Sequence, residues 1–199
     1  MSKGLLEEEG VLAVEAAREA VEAHVVRRPP EIGLPSRFSE KGGAFVTLHT
    51  HPQNQLRGCI GYPEPIFSLA EAIVRAAAGA CEDPRFPPLR SHELDKVVVE
   101  VSVLSVPEPI HASSPQEVLG SIEVGRDGLI ISKGPYRGLL LPQVAVEWGW
   151  DVTMFLQNLC RKAGLGPDDW MDADLFRFES MVFAETEPRG KVMRRGKAD

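Results

Sequence analysis

The sequence predicts an α+β fold, in which α-helices flank a largely antiparallel β-sheet. Some segments repeat apolar residues at three- and four-residue steps, as helices with one buried face do, and others alternate apolar and polar residues, as strands do. The strands arrive in adjacent runs instead of alternating strictly with helices. That order favours antiparallel pairing over a doubly wound parallel sheet.

The N-terminal part of the chain is predicted to form a helix followed by two strands. In residues 5–27, apolar residues such as Val14 and Ala17 recur at helical spacing. The following "RRPPEIGLP" ends the helix because proline cannot continue one. "AFVTLHT" (44–50) alternates and is rich in β-forming residues, and "QLRGCIGY" (55–62) follows as a second strand.

A second helix and a third strand come next. "SLAEAIVRAAAGACED" (68–83) has Ser68 and Glu71 at the spacing of a capping box. The proline that follows disfavours helical backbone before it, so the helix should end near Cys81. "DKVVVEVSVLSV" (95–106) is strongly β-branched and predicts a strand.

The second half of the chain continues the mixed pattern. It is predicted to begin with a short helix at "SPQEVLG" (114–120) and a hairpin in "SIEVGRDGLIISKG" (121–134) around the turn "GRDG". An extended segment, "LLLPQVAVEW" (139–148), follows and is interrupted by Pro142. The last elements are a helix over 152–163 and an alternating strand over 174–186. Asp151 is expected to cap the helix at its start, and Gly164 to end it.

Length and composition are those of one ordinary globular domain. The chain has 199 residues, of which 43% are hydrophobic and 26% charged. Its three cysteines, Cys59, Cys81 and Cys160, are far apart and form no CxxC pair, which argues against a disulfide framework and a thiolate zinc site. We predict a single domain over residues 1–187, as one body or as two subdomains with no boundary assigned, and a basic, mobile tail over 188–199.

Charge and hydropathy indicate where the protein is located and whether it binds a membrane or nucleic acid. The N-terminus turns acidic within six residues, unlike a signal peptide, and no apolar run is long enough for a bilayer, so a cytoplasmic protein without membrane contact is expected. The net charge is −7, although the last twelve residues hold five of the 22 Lys and Arg. An acidic body is a poor surface for nucleic acid, which binds largely through its phosphates.

The second strand carries the main candidate site. Alternation places Arg57 and Cys59 on one face, roughly 7 Å apart, and a nearby guanidinium favours the reactive thiolate. Gly58 and Gly61 are expected to leave space for a ligand, since glycine inside a strand often marks a close approach. The alternative, in which Cys59 is simply a small buried hydrophobe, remains open.

A hairpin would bring further polar groups to this face. If "PQN" (52–54) is its loop, with Asn54 in the left-handed conformation, Thr47 faces Cys59 and His49 faces Arg57. In that register His51 faces Gln55. The prediction depends on register, because a slip by one residue exchanges the two faces.

Other candidates are less specific. Glu100 interrupts a valine-rich strand, so it either faces solvent or, if buried, needs a partner such as Arg57 or Arg85. His49 and His51 could form a metal pair, but spacing specifies no third ligand, so we predict solvated histidines and no metal. Cys160 is expected in the core, and Cys81 is left open. No cofactor is predicted, since nucleotide-binding and hydrolase motifs are lacking.

Seven ordered motifs resemble the family named after the AMME chromosomal region protein. They are "FVTL", "LRGCIG", "DPRFPPL", "EVSVLS", "VGRDGLI", "GLLLPQVAVEW" and "FLQNLCRKAGL". The resemblance covers roughly residues 6–187 and implies an intracellular, two-lobed α+β fold whose signature is Leu56–Gly61. It also implies a pathway shared with Memo-like or radical-SAM proteins, although the cysteines here lack the spacing of an iron–sulfur cluster.

The resemblance carries over to individual positions. Arg57, Gly58, Cys59 and Gly61 match the signature; Asp83, Arg85, Phe86, Glu100, Ser102, Gln143 and Glu147 match the later motifs. His49 and His51 lie outside the family pattern, and Asn54 stands where relatives commonly have glycine.

Three functions are therefore considered. The first is a module that binds a small molecule, peptide or partner protein at Leu56–Gly61, with Thr47, His49 and the motif residues as contacts. The second is an enzyme with Cys59 as nucleophile or redox thiol, Arg57 as its electrostatic partner and Glu100 or His49 handling the proton. The third, disfavoured by the acidic body, is nucleic-acid binding through the basic tail.

Overall fold

The computed structural model describes residues 6–195, and these form two compact units. The first unit contains the described residues through Leu104 together with Met181–Arg195, and the second contains Ser105–Ser180. The helices are α1 Glu7–Val26, α2 Leu69–Cys81, α3 Pro115–Ser121, α4 Pro142–Glu147 and α5 Val152–Ala163. The strands are β1 Gly43–Thr50, β2 Leu56–Tyr62, β3 Val97–Leu104, β4 Glu108–Pro109, β5 Asp127–Lys133, β6 Tyr136–Leu140, β7 Asp174–Glu185 and β8 Val192–Arg194.

Antiparallel pairing and separate helices confirm the predicted α+β class. In the first unit the strand order is β2-β1-β3-β7, and β8 pairs with the C-terminal end of β7. Helices α1 and α2 pack against one face of this sheet. Its core includes Val14, Val21, Val46, Leu48, Ile73, Val99, Val101 and Phe183. The opposite face of β1, β2 and β3 carries Thr47, Cys59 and Glu100.

The second unit is built around β5, which pairs with β6 on one side and with the N-terminal part of β7 on the other. Helix α5 packs on β5 and β6. Its buried face contributes Phe155, Leu156, Leu159 and Cys160 to a separate hydrophobic core. As predicted, the side chain of Asp151 caps α5 and Gly164 ends it in the left-handed region, with φ 78°.

The predicted hairpin around "GRDG" is wrong. The hairpin joins β5 to β6 instead, through Gly134, whose φ is 57°. Residues 123–127 form a local turn because the buried carboxylate of Asp127 accepts hydrogen bonds from Glu123 N (2.8 Å) and Arg126 Nε (2.8 Å). Pro142 begins a helix, α4, where the sequence predicted an interrupted extended segment, because proline is well suited to the first helical turn.

The described part of the C-terminal tail contacts the first unit. Residues 192–194 form β8, and the Arg189 guanidinium donates hydrogen bonds to Glu22 and Asp95. The mobility of residues 188–199 stays a prediction, and residues 196–199 lie outside the described residues. Among residues 6–195, the structure has no helix long and apolar enough to cross a membrane.

Candidate functional site

Cys59 lies in the middle of β2, opposite Thr47 of β1, as the sequence predicted. The Thr47 hydroxyl donates a hydrogen bond to Cys59 Sγ at 3.3 Å. The backbone N–H of Cys59 points to the outer edge of the sheet, where it donates to Asp83, so Thr47 and Cys59 face each other as a non-hydrogen-bonded pair. Such pairs bring side chains close together, which accounts for the contact between the hydroxyl and the thiol.

The predicted position of His49 is wrong by one residue. The register shifts between Leu48 and His49, so that His49 pairs with Leu56 and not with Arg57. The Nδ1 atom of His49 is buried without a hydrogen-bond partner among the described residues. Within residues 6–195 no three His, Cys, Asp or Glu side chains are grouped so as to hold a metal ion.

The loop of the hairpin is one residue longer than predicted. Thr50, and not His51, faces Gln55, since Thr50 N donates to Gln55 O at 2.8 Å. The remaining loop residues are 51–54. Asn54 has a φ of 53°, as expected for the left-handed position.

Cys59, Thr47 and Glu100 form one row across three adjacent strands, which we call the thiol row. The row follows from the register, because Thr47 pairs with Cys59 on one side and with Glu100 on the other. Cys59 and Thr47 are half-buried, and the side chain of Glu100 is 20% exposed, with Arg195 Nε 3.9 Å from its carboxylate. The next row contains Phe45 between Gly61 and Ser102, and Ser102 is buried.

Arg57 forms a bidentate ion pair with Glu93. Its Nε and Nη2 atoms donate to the two carboxylate oxygens at 2.8 and 3.1 Å, and Nη2 also donates to Pro87 O at 2.9 Å. The guanidinium holds the pKa of Glu93 below its usual value. Arg57 therefore fastens residues 87–93 to β2, and its charge is committed to a carboxylate instead of the Cys59 thiol.

Asp83 and Arg85 form what we call the edge clamp on β2. The buried carboxylate of Asp83 accepts from Cys59 N at 2.9 Å and from Arg85 Nη2 at 2.6 Å, and Arg85 Nη2 also donates to Cys59 O at 3.4 Å. The clamp satisfies the edge-facing backbone groups of Cys59 that a further strand would otherwise pair. The Arg85 guanidinium holds the pKa of Asp83 well below its usual range.

Comparison with known proteins agrees with this geometry. A model of the AMMECR1 family matches residues 14–183. The chain belongs to the AMMECR1 family. Protein MJ0810 of Methanocaldococcus jannaschii is 53% identical over 190 residues, covering 94% of each chain. The crystal structure of the uncharacterized protein PH0010 from Pyrococcus horikoshii superimposes with a TM-score of 0.86 at 47% identity, covering 96% of this chain and 98% of that one.

Gly58 and Gly61 of β2 are closely packed. A Cβ added at Gly58 would lie 2.2 Å from the carbonyl oxygen of Ala80 in α2, and one at Gly61 would lie 2.1 Å from Cδ1 of the Phe45 ring. The space that the sequence analysis assigned to a ligand is thus filled by a helix carbonyl and an aromatic ring. Packing alone requires glycine at position 58, since the obstacle there is backbone.

Other predicted site residues lie elsewhere. Gln143 and Glu147 are on α4 in the second unit, half-buried and exposed respectively. Cys160 is buried in the core of the second unit, as predicted. Cys81 is buried at the end of α2, where its thiol donates to Ala77 O at 3.3 Å and burial raises its pKa to about 12.

Sequence reasoning missed two residues of the candidate site. Phe45 could have been found, because the register that pairs Thr47 with Cys59 also pairs Phe45 with Gly61. Glu93 had only a weak local signal, three residues after Arg90, whose N–H it accepts at 2.9 Å. Nothing in the spacing indicates that Glu93 also pairs with Arg57, 36 positions away.

Proposed function

We propose that this AMMECR1 protein is a binding module whose ligand, a small polar molecule, contacts the thiol row. The observation that carries the proposal is the alignment of a thiol, a hydroxyl and a carboxylate across three adjacent strands. Neighbouring strands are about 4.8 Å apart, so the row spans roughly 10 Å, the scale of a metabolite. The chemistry of the row suits an amine- or hydroxyl-bearing ligand that donates to Glu100.

The row is fixed before any ligand arrives. The edge clamp holds both backbone polar groups of Cys59, and the carbonyl of Ala80 fits against Gly58 on the opposite face. Thr47 lies in the central strand of the three and is paired on both sides. Preorganised groups lose little conformational entropy on binding, which favours affinity.

The surroundings of Cys59 support binding over catalysis. Arg57 is occupied by Glu93 and Pro87, and Thr47 stands between Cys59 and Glu100. His49 is opposite Leu56. A nucleophile needs a base within hydrogen-bond reach, whereas the group bonded to the sulfur among the described residues is the Thr47 hydroxyl, which donates to it.

The test is a ligand-observed NMR screen with a library of amine- and hydroxyl-bearing metabolites. Bound compounds are expected to lose affinity at least fivefold in Thr47→Val and Cys59→Ala, which remove polar atoms of the row with little change in volume. Thr153→Val, which removes an exposed hydroxyl from α5, is the matched control and should bind as the wild type. Hits that bind both row variants with unchanged affinity would overturn the proposal.

A second candidate is an enzyme with Cys59 as nucleophile or redox thiol. One observation favours it: Cys59 is half-buried and its Sγ accepts a hydrogen bond from the Thr47 hydroxyl, whereas Cys81 and Cys160 are buried. Cys59→Ser separates the two functions once a ligand is known. A module should still bind that ligand with similar affinity and leave it chemically unchanged, whereas an enzyme should convert it in the wild type and not in the variant.

A further inference from the structure

A cleft of about 440 Å³ lies in the first unit, apart from the thiol row. The end of α1 contributes His24, Val25 and Arg27 to its lining, and the end of α2 contributes Cys81 and Glu82. Residues 88–91 complete it. The volume falls within the range of small-molecule sites.

The guanidiniums of two arginines that line this cleft have no carboxylate partner among the described residues. Arg27 and Arg90 form no ion pair there, although acidic residues outnumber basic ones by 29 to 22 in the whole sequence. The neighbouring Arg28, by contrast, is bonded to Glu19. Two such guanidiniums offer ten N–H donors in planar forks, the arrangement that matches phosphate oxygens.

Arg27 also occupies a backbone position that suits glycine. It is the residue after α1, with a φ of 58° in the left-handed region, and helices that end in this conformation usually place glycine there because a side chain is strained. A non-glycine residue in this conformation is a reason to look for a role of its side chain.

Negative groups also lie at the cleft. The terminal carbonyls of α1 accept from Arg27 N and Arg28 N, and Cys81 O accepts from Leu89 N. Glu82 is hydrogen-bonded to His24 at 3.1 Å. The two helix termini together act as roughly one negative charge and the Glu82 carboxylate adds a second, so they offset the two positive charges of the arginines and the forked N–H donors remain as the feature that suits a phosphate. Burial raises the pKa of Cys81 to about 12, so its thiol adds no negative charge at neutral pH.

We propose that this cleft binds a phosphorylated small molecule with a flat or apolar body. Arg27 and Arg90 would hold the phosphate, and the apolar lining from Val25, Pro88 and Leu89 would take the body. The cleft is larger than a bare phosphate requires, which favours an ester over the inorganic ion. The inference does not depend on the function proposed for the thiol row.

The test measures binding of phenyl phosphate and AMP to the full chain by calorimetry, with inorganic phosphate for comparison. At least one ester should bind saturably and more tightly than inorganic phosphate, and Arg27→Gln and Arg90→Gln should each weaken it at least fivefold. Arg161→Gln removes the same charge from an exposed position of α5 and should change nothing. Absence of saturable binding by both esters, or unchanged affinity in both cleft variants, would refute the proposal.

Arg27→Gly gives a second readout that misfolding cannot imitate. Glycine relieves the strain at φ 58°, so the melting temperature should rise by about 2–4 °C while ester affinity falls as in Arg27→Gln. A glycine variant that keeps wild-type affinity would show that the side chain of Arg27 is not a ligand.

Discussion

At the scale of single residues, the three cysteines differ sharply in accessibility. Cys59 is half-buried and touches a hydroxyl, whereas Cys81 and Cys160 are buried. Burial raises the pKa of both inner thiols, that of Cys81 to about 12. Because the thiolate is the reactive form, chemistry at sulfur in the folded protein should be confined to Cys59.

Alkylation tests this difference. Folded protein treated with iodoacetamide at pH 8 should gain a single adduct, located at Cys59 by peptide mapping, and protein in 6 M urea should gain three. The Cys59→Ser variant should gain none while folded. Equal labelling of Cys81 and Cys59 in the folded state would show that the thiol of Cys81 is not shielded as the structure has it.

Asp83 has a structural role that its sequence motif did not disclose. Replacing it with alanine removes the acceptor of Cys59 N and the partner of Arg85, and an unsatisfied buried N–H alone costs about 1–3 kcal/mol. Since Arg85 itself is largely exposed and stays solvated, we expect Asp83→Ala to lower the free energy of unfolding by about 2–4 kcal/mol in urea titrations. Glu40→Ala, which breaks an exposed pair with Arg37, should cause a much smaller loss.

The same carboxylate gives stability a specific dependence on pH. Its pKa in the folded protein is depressed, chiefly by Arg85, below the value of about 3.9 for an unfolded aspartate. A depressed pKa contributes stability that is fully present above pH 4 and is lost as the pH falls towards the folded value. Melting temperatures should therefore fall more between pH 5 and pH 2.5 in the wild type than in Asp83→Ala, and parallel curves would contradict this assignment.

At the scale of elements, the contact between β2 and α2 depends on one missing side chain. Gly58 lies against the backbone carbonyl of Ala80, which can move only if the helix moves. Gly61 lies against the ring of Phe45, which is half-buried and can turn aside. The two glycines of β2 therefore differ in whether a side chain at their position could be accommodated.

Alanine substitution should separate these positions. Gly58→Ala is expected to lower the free energy of unfolding by about 3 kcal/mol through overpacking against α2, and Gly61→Ala should cost less. Gly120→Ala is the control, because a Cβ there meets nothing within 4 Å in α3, and it should stabilise by about 0.5–1 kcal/mol. Urea denaturation at pH 7 measures all three, and equal losses at positions 58 and 61 would count against the backbone contact.

Local signals predicted most elements, and long-range contacts account for the misses. The caps at Ser68, Ser114 and Asp151 are bonded as their spacing indicated. The hairpin at "GRDG" failed because the side chain of Asp127 closes the turn on its own backbone, an arrangement that glycine spacing does not reveal.

The sequence likewise predicted the local part of the candidate site and missed its long-range contacts. Alternation gave the pairing of Thr47 with Cys59, but the irregularity after Leu48 moved His49 away from Arg57. The partners of Arg57 and of Cys59 N lie 36 and 24 positions away, and single-sequence patterns carry no information on such pairs.

At the scale of the whole molecule, the first unit is assembled from both ends of the described chain. Arg18 of α1 forms a buried ion pair with Glu185 at the end of β7, and it also donates to Val97 O at 2.8 Å. Glu185 in turn accepts from Val99 N at 2.9 Å. The pair joins α1, β3 and β7, which lie far apart in sequence.

Breaking this pair should be costly. Arg18→Met leaves the Glu185 carboxylate buried without its countercharge, and we expect the free energy of unfolding to fall by about 3–5 kcal/mol. The double variant Arg18→Met/Glu185→Leu should recover part of that loss, because no buried charge remains unpaired. Urea titration of the single and double variants measures the difference, and a double variant less stable than Arg18→Met would contradict the assignment.

The position of Glu185 also sets an order of events during synthesis. A ribosome releases α1, α2 and the first three strands long before it reaches the end of β7. Until then Arg18 has no carboxylate partner, and the core of the first unit lacks Phe183. All of residues 105–180 emerge while the earlier unit is still unfinished, so a nascent chain stalled before residue 183 exposes a helix face and a sheet that chaperones can recognise.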